Sequence, residues 1–95
     1  MPFGGAHVSQ CVGSCLDVLL VDGGHSYKCC YADILNFRPL ARKSALLIVD
    51  DVRGKPKYNW EKGPTSAWRA AIDAGIVVQI GCKNGLAWGH YKTKL

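Results

Sequence analysis

Four residues of this chain have the types and spacing to do acid–base or cation chemistry together: Asp22, His25, Asp50 and Asp51. Asp22 closes the run Asp17-Val18-Leu19-Leu20-Val21, and the pair Asp50-Asp51 closes a second run, Ala45-Leu46-Leu47-Ile48-Val49. Three carboxylates brought within a few ångströms repel unless one takes up a proton or a hard cation such as Mg²⁺ or Ca²⁺ neutralises them. The plainer alternative is that one of them caps a helix or bonds loop amides. His25, three residues after Asp22, is the residue type that changes charge near neutral pH, so it could accept a proton from a reacting hydroxyl or simply order the turn. Gly23 and Gly24 between them would let backbone approach a ligand closely, or make the turn and nothing more.

These side chains meet only if the two runs are neighbours. Each is an almost unbroken apolar stretch that stops on acid, the pattern of a parallel strand buried on both faces whose C-terminal end opens into a ligand crevice. Between them Ser26 is placed to cap a helix with Tyr27, Cys30, Tyr31, Ile34 and Phe37 at helical spacing, and Pro39 disfavours helix at Arg38. Residues Leu40 to Ser44 are expected to turn the chain back into the second strand. Strand, helix, strand is a βαβ unit with parallel strands, so the acidic ends fall on one side of the sheet, about 4.8 Å apart if the strands are adjacent.

Downstream, Val52 to Gly63 is expected as a loop covering the strand ends. Tyr58 and Trp60 on it are candidates to grip an acceptor substrate, whereas Tyr27, Trp68 and Trp88 are expected to pack. Pro64 at a first helical position and Gly75 past the last bracket a helix over Thr65 to Ala74, with Trp68, Ala71 and Ile72 inward. Ile76 to Ile80 reads as a strand, and Asn84-Gly85 as a hairpin turn into an antiparallel strand, Leu86 to Tyr91. The expected fold class is therefore α/β, a parallel βαβ unit followed by a helix and an antiparallel C-terminal hairpin.

Ninety-five residues bound the chain to one domain with a modest core, burying about 65% of the unfolded surface. No apolar run reaches the roughly 18 residues of a membrane span, and Met1-Pro2-Phe3-Gly4-Gly5 lacks a secretory pattern, so a cytoplasmic protein with no membrane partner is expected. Five cysteines without a signal argue for reduced thiols. His7, Cys11, Cys15, His25 and Cys29 fall in one stretch, but their spacing does not match paired zinc knuckles. The net charge of +5 gathers at Arg53, Lys55, Lys57 and Lys62 and again at Lys83, Lys92 and Lys94. No nucleic-acid motif accompanies it, so nucleic acid is not expected as a partner.

Taken together, Val21-Asp22-Gly23-Gly24-His25-Ser26-Tyr27, the helix carrying Asp33, Leu47-Ile48-Val49-Asp50-Asp51-Val52, Gly63-Pro64-Thr65 to Trp68 and the hairpin through Gly85-Leu86-Ala87 resemble a known family. It is the S-adenosylmethionine-dependent methyltransferases with a Rossmann-like fold, in the branch whose fourth strand ends in D-G-x-H-S-Y. The resemblance runs from about Asp17 to Tyr91 and is to the family's C-terminal half. It implies S-adenosylmethionine as cofactor, met by Asp22, Gly23, Gly24 and His25, and O-methyl transfer to a hydroxyl of a small-molecule acceptor. Similarity to the catechol-type enzymes further implies Mg²⁺ or another divalent cation on Asp22, Asp50 and Asp51, with Asp51 standing where those enzymes commonly carry Asn. His25 stands where they place a lysine that takes the substrate's proton.

The family's glycine-rich loop and its ribose-binding acid have no place upstream of Asp17. The expected organisation is a truncated or poorly ordered segment over 1–15 and the C-terminal half of a methyltransferase-like domain over 16–95. The competing reading is a non-catalytic half-domain that pairs with a missing N-terminal half, another chain or its own copy, since the sheet would carry an unpaired edge. A third, weaker likeness, of Leu47-Ile48-Val49-Asp50-Asp51 to phosphoacceptor receiver domains, lacks the later aspartate and lysine those need.

Overall fold

A computed structural model describes residues 16–22 and 25–92. The expectations for residues 1–15, including His7, Cys11 and Cys15 of the zinc reading, and for Gly23 and Gly24 lie outside the described residues.

Strand β1 (Leu16–Val21) leads through the acidic turn to helix α1 (Tyr27–Phe37). Ser26 caps it: the residue is extended, and its hydroxyl accepts from the Cys29 N–H at 3.1 Å, satisfying one of the orphan donors of the first turn. One stripe of α1, Cys30, Asp33, Ile34 and Phe37, is buried. Pro39 ends the helix as its ring geometry requires, converting Arg38–Leu40 to a single 3₁₀ turn. Strand β2 (Ala41–Asp50) then begins at once. The turn expected over Leu40 to Ser44 is thus an irregular extension of the strand. Leu16 pairs with Ala41 but Val18 with Leu46, so the extra residues bulge out of the ladder.

Helix α2 (Asn59–Asp73) begins six residues earlier than Thr65, and Pro64 sits inside it rather than at its start. Glu61 explains the difference. Its carboxylate, in the first turn, accepts from the backbone N–H groups of Lys57 and Tyr58 at 3.0 and 3.1 Å and supplies the acceptors a helix N-terminus otherwise lacks. Trp60 is therefore a helical residue, and the loop expected up to Gly63 ends at Tyr58. At the other end, Gly75 adopts φ +74° and lets the chain reverse, with Ile76 N–H on the Ala71 carbonyl. Strands β3 (Val77–Lys83) and β4 (Leu86–Tyr91) follow. Asn84 and Gly85 between them both have positive φ, 54° and 82°, the geometry of a two-residue hairpin turn matched to strand twist.

The sheet order is β1-β2-β4-β3. β1 and β2 are parallel, and β4 enters between β2 and β3 antiparallel to both. The molecule is thus the mixed α/β arrangement expected: a parallel βαβ unit, a helix and an antiparallel closing hairpin. Both helices lie over one face. Leu19, Val21, Ala45, Leu47, Val49 and Ala87 from the sheet meet Ile34, Phe37, Ala67, Trp68 and Ala71 from the helices in one core. Two polar side chains pin its rim. The Trp68 indole N–H donates to Gln79 at 2.7 Å, and the Tyr91 hydroxyl donates to the Ile34 carbonyl. Tyr27, expected in the packing, is instead nearly half exposed and stacks on Tyr31. Among the described residues no helix is long and apolar enough to cross a membrane.

Candidate functional site

Parallel pairing with Val21 opposite Val49 puts the next residues of the two strands, Asp22 and Asp50, side by side. Asp51 follows with φ 61°, a left-handed conformation that aspartate tolerates better than bulkier residues. That turn is held from below. The Thr65 hydroxyl donates to the Asp51 carbonyl at 3.3 Å and accepts from the Arg53 N–H at 3.1 Å, while the Val52 N–H reaches the Gly85 carbonyl at 3.2 Å. The result is a rim on which one oxygen from each of Asp22, Asp50 and Asp51 lies within 4.8 Å of the others.

His25 joins this rim from the β1–α1 turn, with Nε2 2.9 Å from Asp51 Oδ2. Its position depends on Gly63. A Cβ there would overlap the His25 carbonyl oxygen and come within 2.7 Å of the backbone of Ser26 and Tyr27, so α2 can approach the turn only with glycine at that position. The cleft between these elements, too narrow to admit a water molecule, is lined by Val21, Asp22, His25, Cys30, Asp50, Asp51 and Pro64.

The electrostatics follow from the crowding. The Asp22 carboxyl is held above its usual range, first by the hydrogen bond it shares with Asp50, then by burial and by the negative charges of Asp50 and Asp51, with His25 opposing. Asp22 thus retains its proton more tightly than an isolated carboxyl does. Burial pushes the Cys30 thiol up to about 12, so it lines the cleft as a neutral group and not as a thiolate ligand. Among the described residues the three aspartates are the group able to hold a metal, and neither Cys29 nor His25 belongs to it.

Two residues that the sequence reading did not single out support the rim: Glu61 and Thr65. Glu61 is almost fully buried and pairs with Arg53. Burial alone would raise its carboxyl, but the Arg53 guanidinium and the backbone N–H groups of Tyr58 and Lys57 outweigh it and hold it below its ordinary value. The available signal was an acid in the first turn of a helix, masked by the proline three residues later. Tyr58 and Trp60 stack on one another at 4.4 Å with an interplanar angle of 4°, and the Lys57 ammonium lies 5.4 Å from the Tyr58 ring. Trp60 is four residues before Pro64 on α2, hence on the same helical face one turn from the cleft lining. Neither Tyr58 nor Trp60 is among the residues that line the cleft.

The fold is an α/β domain with a βαβ unit whose strand ends carry an acidic cleft. The family model for a methyltransferase domain matches residues 5–52, just over half of the chain's 95 residues, and the chain belongs to that family. The match takes in β1, α1 and β2 with every rim carboxylate and His25. It begins upstream of Asp17 and stops before α2. No curated protein matches the chain.

Proposed function

We propose that the cleft is the acceptor end of an S-adenosylmethionine-dependent methyltransferase that transfers a methyl group to the hydroxyl of a small molecule, with a divalent cation on the rim. The convergence of Asp22, Asp50 and Asp51 beside His25 carries this reading. The donor set fits a hard cation: all oxygens, anionic, and no farther apart than two ligands on opposite sides of a Ca²⁺ at about 2.4 Å each. Such an ion would lower the pKa of an acceptor hydroxyl and relieve the repulsion among the three carboxylates.

His25 is the general base in this reading. With its Nε2–H donated to Asp51, Nδ1 is left as the lone-pair nitrogen that takes the hydroxyl proton, and Asp51 stabilises the imidazolium that results. The stacked Tyr58 and Trp60 would offer a flat apolar wall to the acceptor. When bound, S-adenosylmethionine supplies a methyl group activated on a sulfonium. The cleft is too narrow to admit a water molecule, far below the roughly 300 Å³ of a small-ligand pocket, so in this reading Asp22 and His25 supply only an edge of the cofactor site.

Thermal melts with Mg²⁺ and with S-adenosylmethionine test the reading. Both ligands are expected to raise the midpoint of the wild-type chain. Asp22→Ala is expected to lose the Mg²⁺ response, and His25→Ala to keep it while losing methyl transfer. A folded wild-type chain whose midpoint moves with neither ligand sinks the proposal and leaves a non-catalytic half-domain, a second reading favoured by the exposed sheet residues Val18, Leu20 and Ile80.

A further inference from the structure

Asp51 has two demands on it at once. Its carboxylate holds His25 Nε2 at 2.9 Å and also offers an oxygen to the rim shared with Asp22 and Asp50. So short a side chain can meet both demands only if its backbone is held in place. Yet Asp51 stands at φ 61°, a conformation that residues bearing a Cβ leave when nothing restrains them. Whatever restrains it sets both contacts.

The turn after β2 is clamped from two sides. On the hairpin side, the Val52 N–H donates to the Gly85 carbonyl at 3.2 Å, and the Val52 carbonyl accepts at 3.5 Å from the Cys82 thiol, a weak donor. On the α2 side one hydroxyl takes both neighbours of Val52. Thr65 Oγ1 donates to the Asp51 carbonyl at 3.3 Å and accepts from the Arg53 N–H at 3.1 Å, and the residue is fully buried. A threonine inside a helix often turns its hydroxyl back onto a carbonyl of the preceding turn. Thr65 instead spends its donor and an acceptor outside its own helix, on the one backbone segment that carries Asp51.

We propose that Thr65 is a positioning residue of the site: its hydroxyl fixes the Asp51 turn so that the carboxylate reaches His25 and the rim together. The consequence for cation binding rests on the reading of the rim given above, whereas the consequence for the His25 contact does not. Thr65 acts through the backbone of Asp51 and needs no contact with a ligand. Like Cys82 and Gly85 it lies beyond residue 52, where the family match ends. The acids and the histidine thus come from the matched part of the chain, and the clamp that aims Asp51 comes from the rest.

Thr65→Val and Thr65→Ser separate the hydroxyl from the packing. The readouts are the His25 ring chemical shifts by NMR at fixed pH without added metal, and the Mg²⁺ dissociation constant by titration calorimetry. Thr65→Val is expected to displace the ring shifts and to weaken Mg²⁺ binding about tenfold or more, as loss of a group that orients a ligand does. Thr65→Ser, which keeps the hydroxyl and loses the methyl, is expected to return both readouts toward wild type. A folded Thr65→Val chain with wild-type ring shifts overturns the proposal, as does a Thr65→Ser chain displaced as far as Thr65→Val. A wild type that takes up no Mg²⁺ overturns the cation reading instead, and the ring shifts then decide on Thr65. Where the wild type does bind, an unchanged Mg²⁺ affinity in Thr65→Val counts against Thr65 and overturns its role. Should circular dichroism show that Thr65→Val does not fold, hydrogen exchange of the wild type decides. The Arg53 amide, although on an exposed residue, is expected to be protected by the buried hydroxyl, and exchange at the rate of a free amide overturns the proposal.

Discussion

Asp22 and Glu61 are carboxyls on the same side of the sheet, and their environments push them in opposite directions. Glu61 is buried yet compensated, with Arg53 and two backbone N–H groups aimed at it, and its carboxyl is held below the ordinary range. Asp22 is exposed yet uncompensated, with carboxylates as neighbours, and is held above it. Burial therefore does not decide the sign here; the partners do. A carboxyl supplied with cations and donors from its own chain is completing the structure. One left among like charges is available for something from outside, a proton or a metal ion.

Breaking the compensated side should have the largest effect. Glu61→Ala leaves the Arg53 guanidinium and the N–H groups of Lys57 and Tyr58 without their acceptor and is expected to lower the melting temperature more than any other single carboxyl replacement. The pH dependence has a definite sign. With its folded value depressed, Glu61 contributes stability that is fully present above the unfolded value and is lost as pH falls through the folded one. Acid melts of wild type and Glu61→Gln should thus converge at low pH, and curves that stay parallel would remove Glu61 from this role.

Next in size is the link between the two regions. Gly63→Ala drives a methyl group into the His25 carbonyl and is expected to cost about 1–3 kcal/mol as α2 and the β1–α1 turn separate. The same variant should loosen the His25–Asp51 contact, read as displaced His25 ring chemical shifts by NMR. Unchanged stability and unchanged ring shifts together would show that α2 does not set the position of the histidine.

Asp33 sharpens the contrast from inside the core. It is buried on α1 with Oδ2 lacking a partner, and burial raises its carboxyl. Folding then binds its proton more tightly than the unfolded chain does, so its contribution to stability falls as pH rises from the ordinary carboxylate value through the folded one. Asp33→Asn should be more stable than wild type at neutral pH by about 1 kcal/mol in chemical denaturation. A less stable variant would assign that oxygen a partner. The smallest effect belongs to Asp22→Asn, which relieves like-charge repulsion at an exposed site and should stabilise by roughly 0.5 kcal/mol or less at neutral pH without added cation.

The residues show where legibility in the sequence stopped. Ser26, Pro39, Gly75 and Asn84-Gly85 act through their own backbone chemistry, so the ends of α1, the exit from α2 and the β3–β4 turn could be read directly. The start of α2 could not, because Pro64 carries a strong local signal for a first helical position while the actual start depends on Glu61 finding Arg53 across the loop. Likewise Ala41 to Ser44 lack a strand pattern, and the strand starts at Ala41 because that residue pairs with Leu16 of β1. The rim carboxylates and His25 were visible as residue types at suggestive spacing. That His25 engages Asp51, and that Thr65 pins the Asp51 turn, was not, since those partners are 26 and 14 positions apart.

The order of residues by itself thus determined the alternation of strand and helix, the parallel first pair, the hairpin and the identity of the acidic groups, since these follow from period, caps and turn chemistry acting over a few positions. Only the tertiary structure decided which acid is compensated and which is not, and how closely α2 approaches the histidine turn. Those outcomes depend on distances between segments remote in the chain, and Coulomb and contact energies are functions of distance in space, not of separation along the backbone.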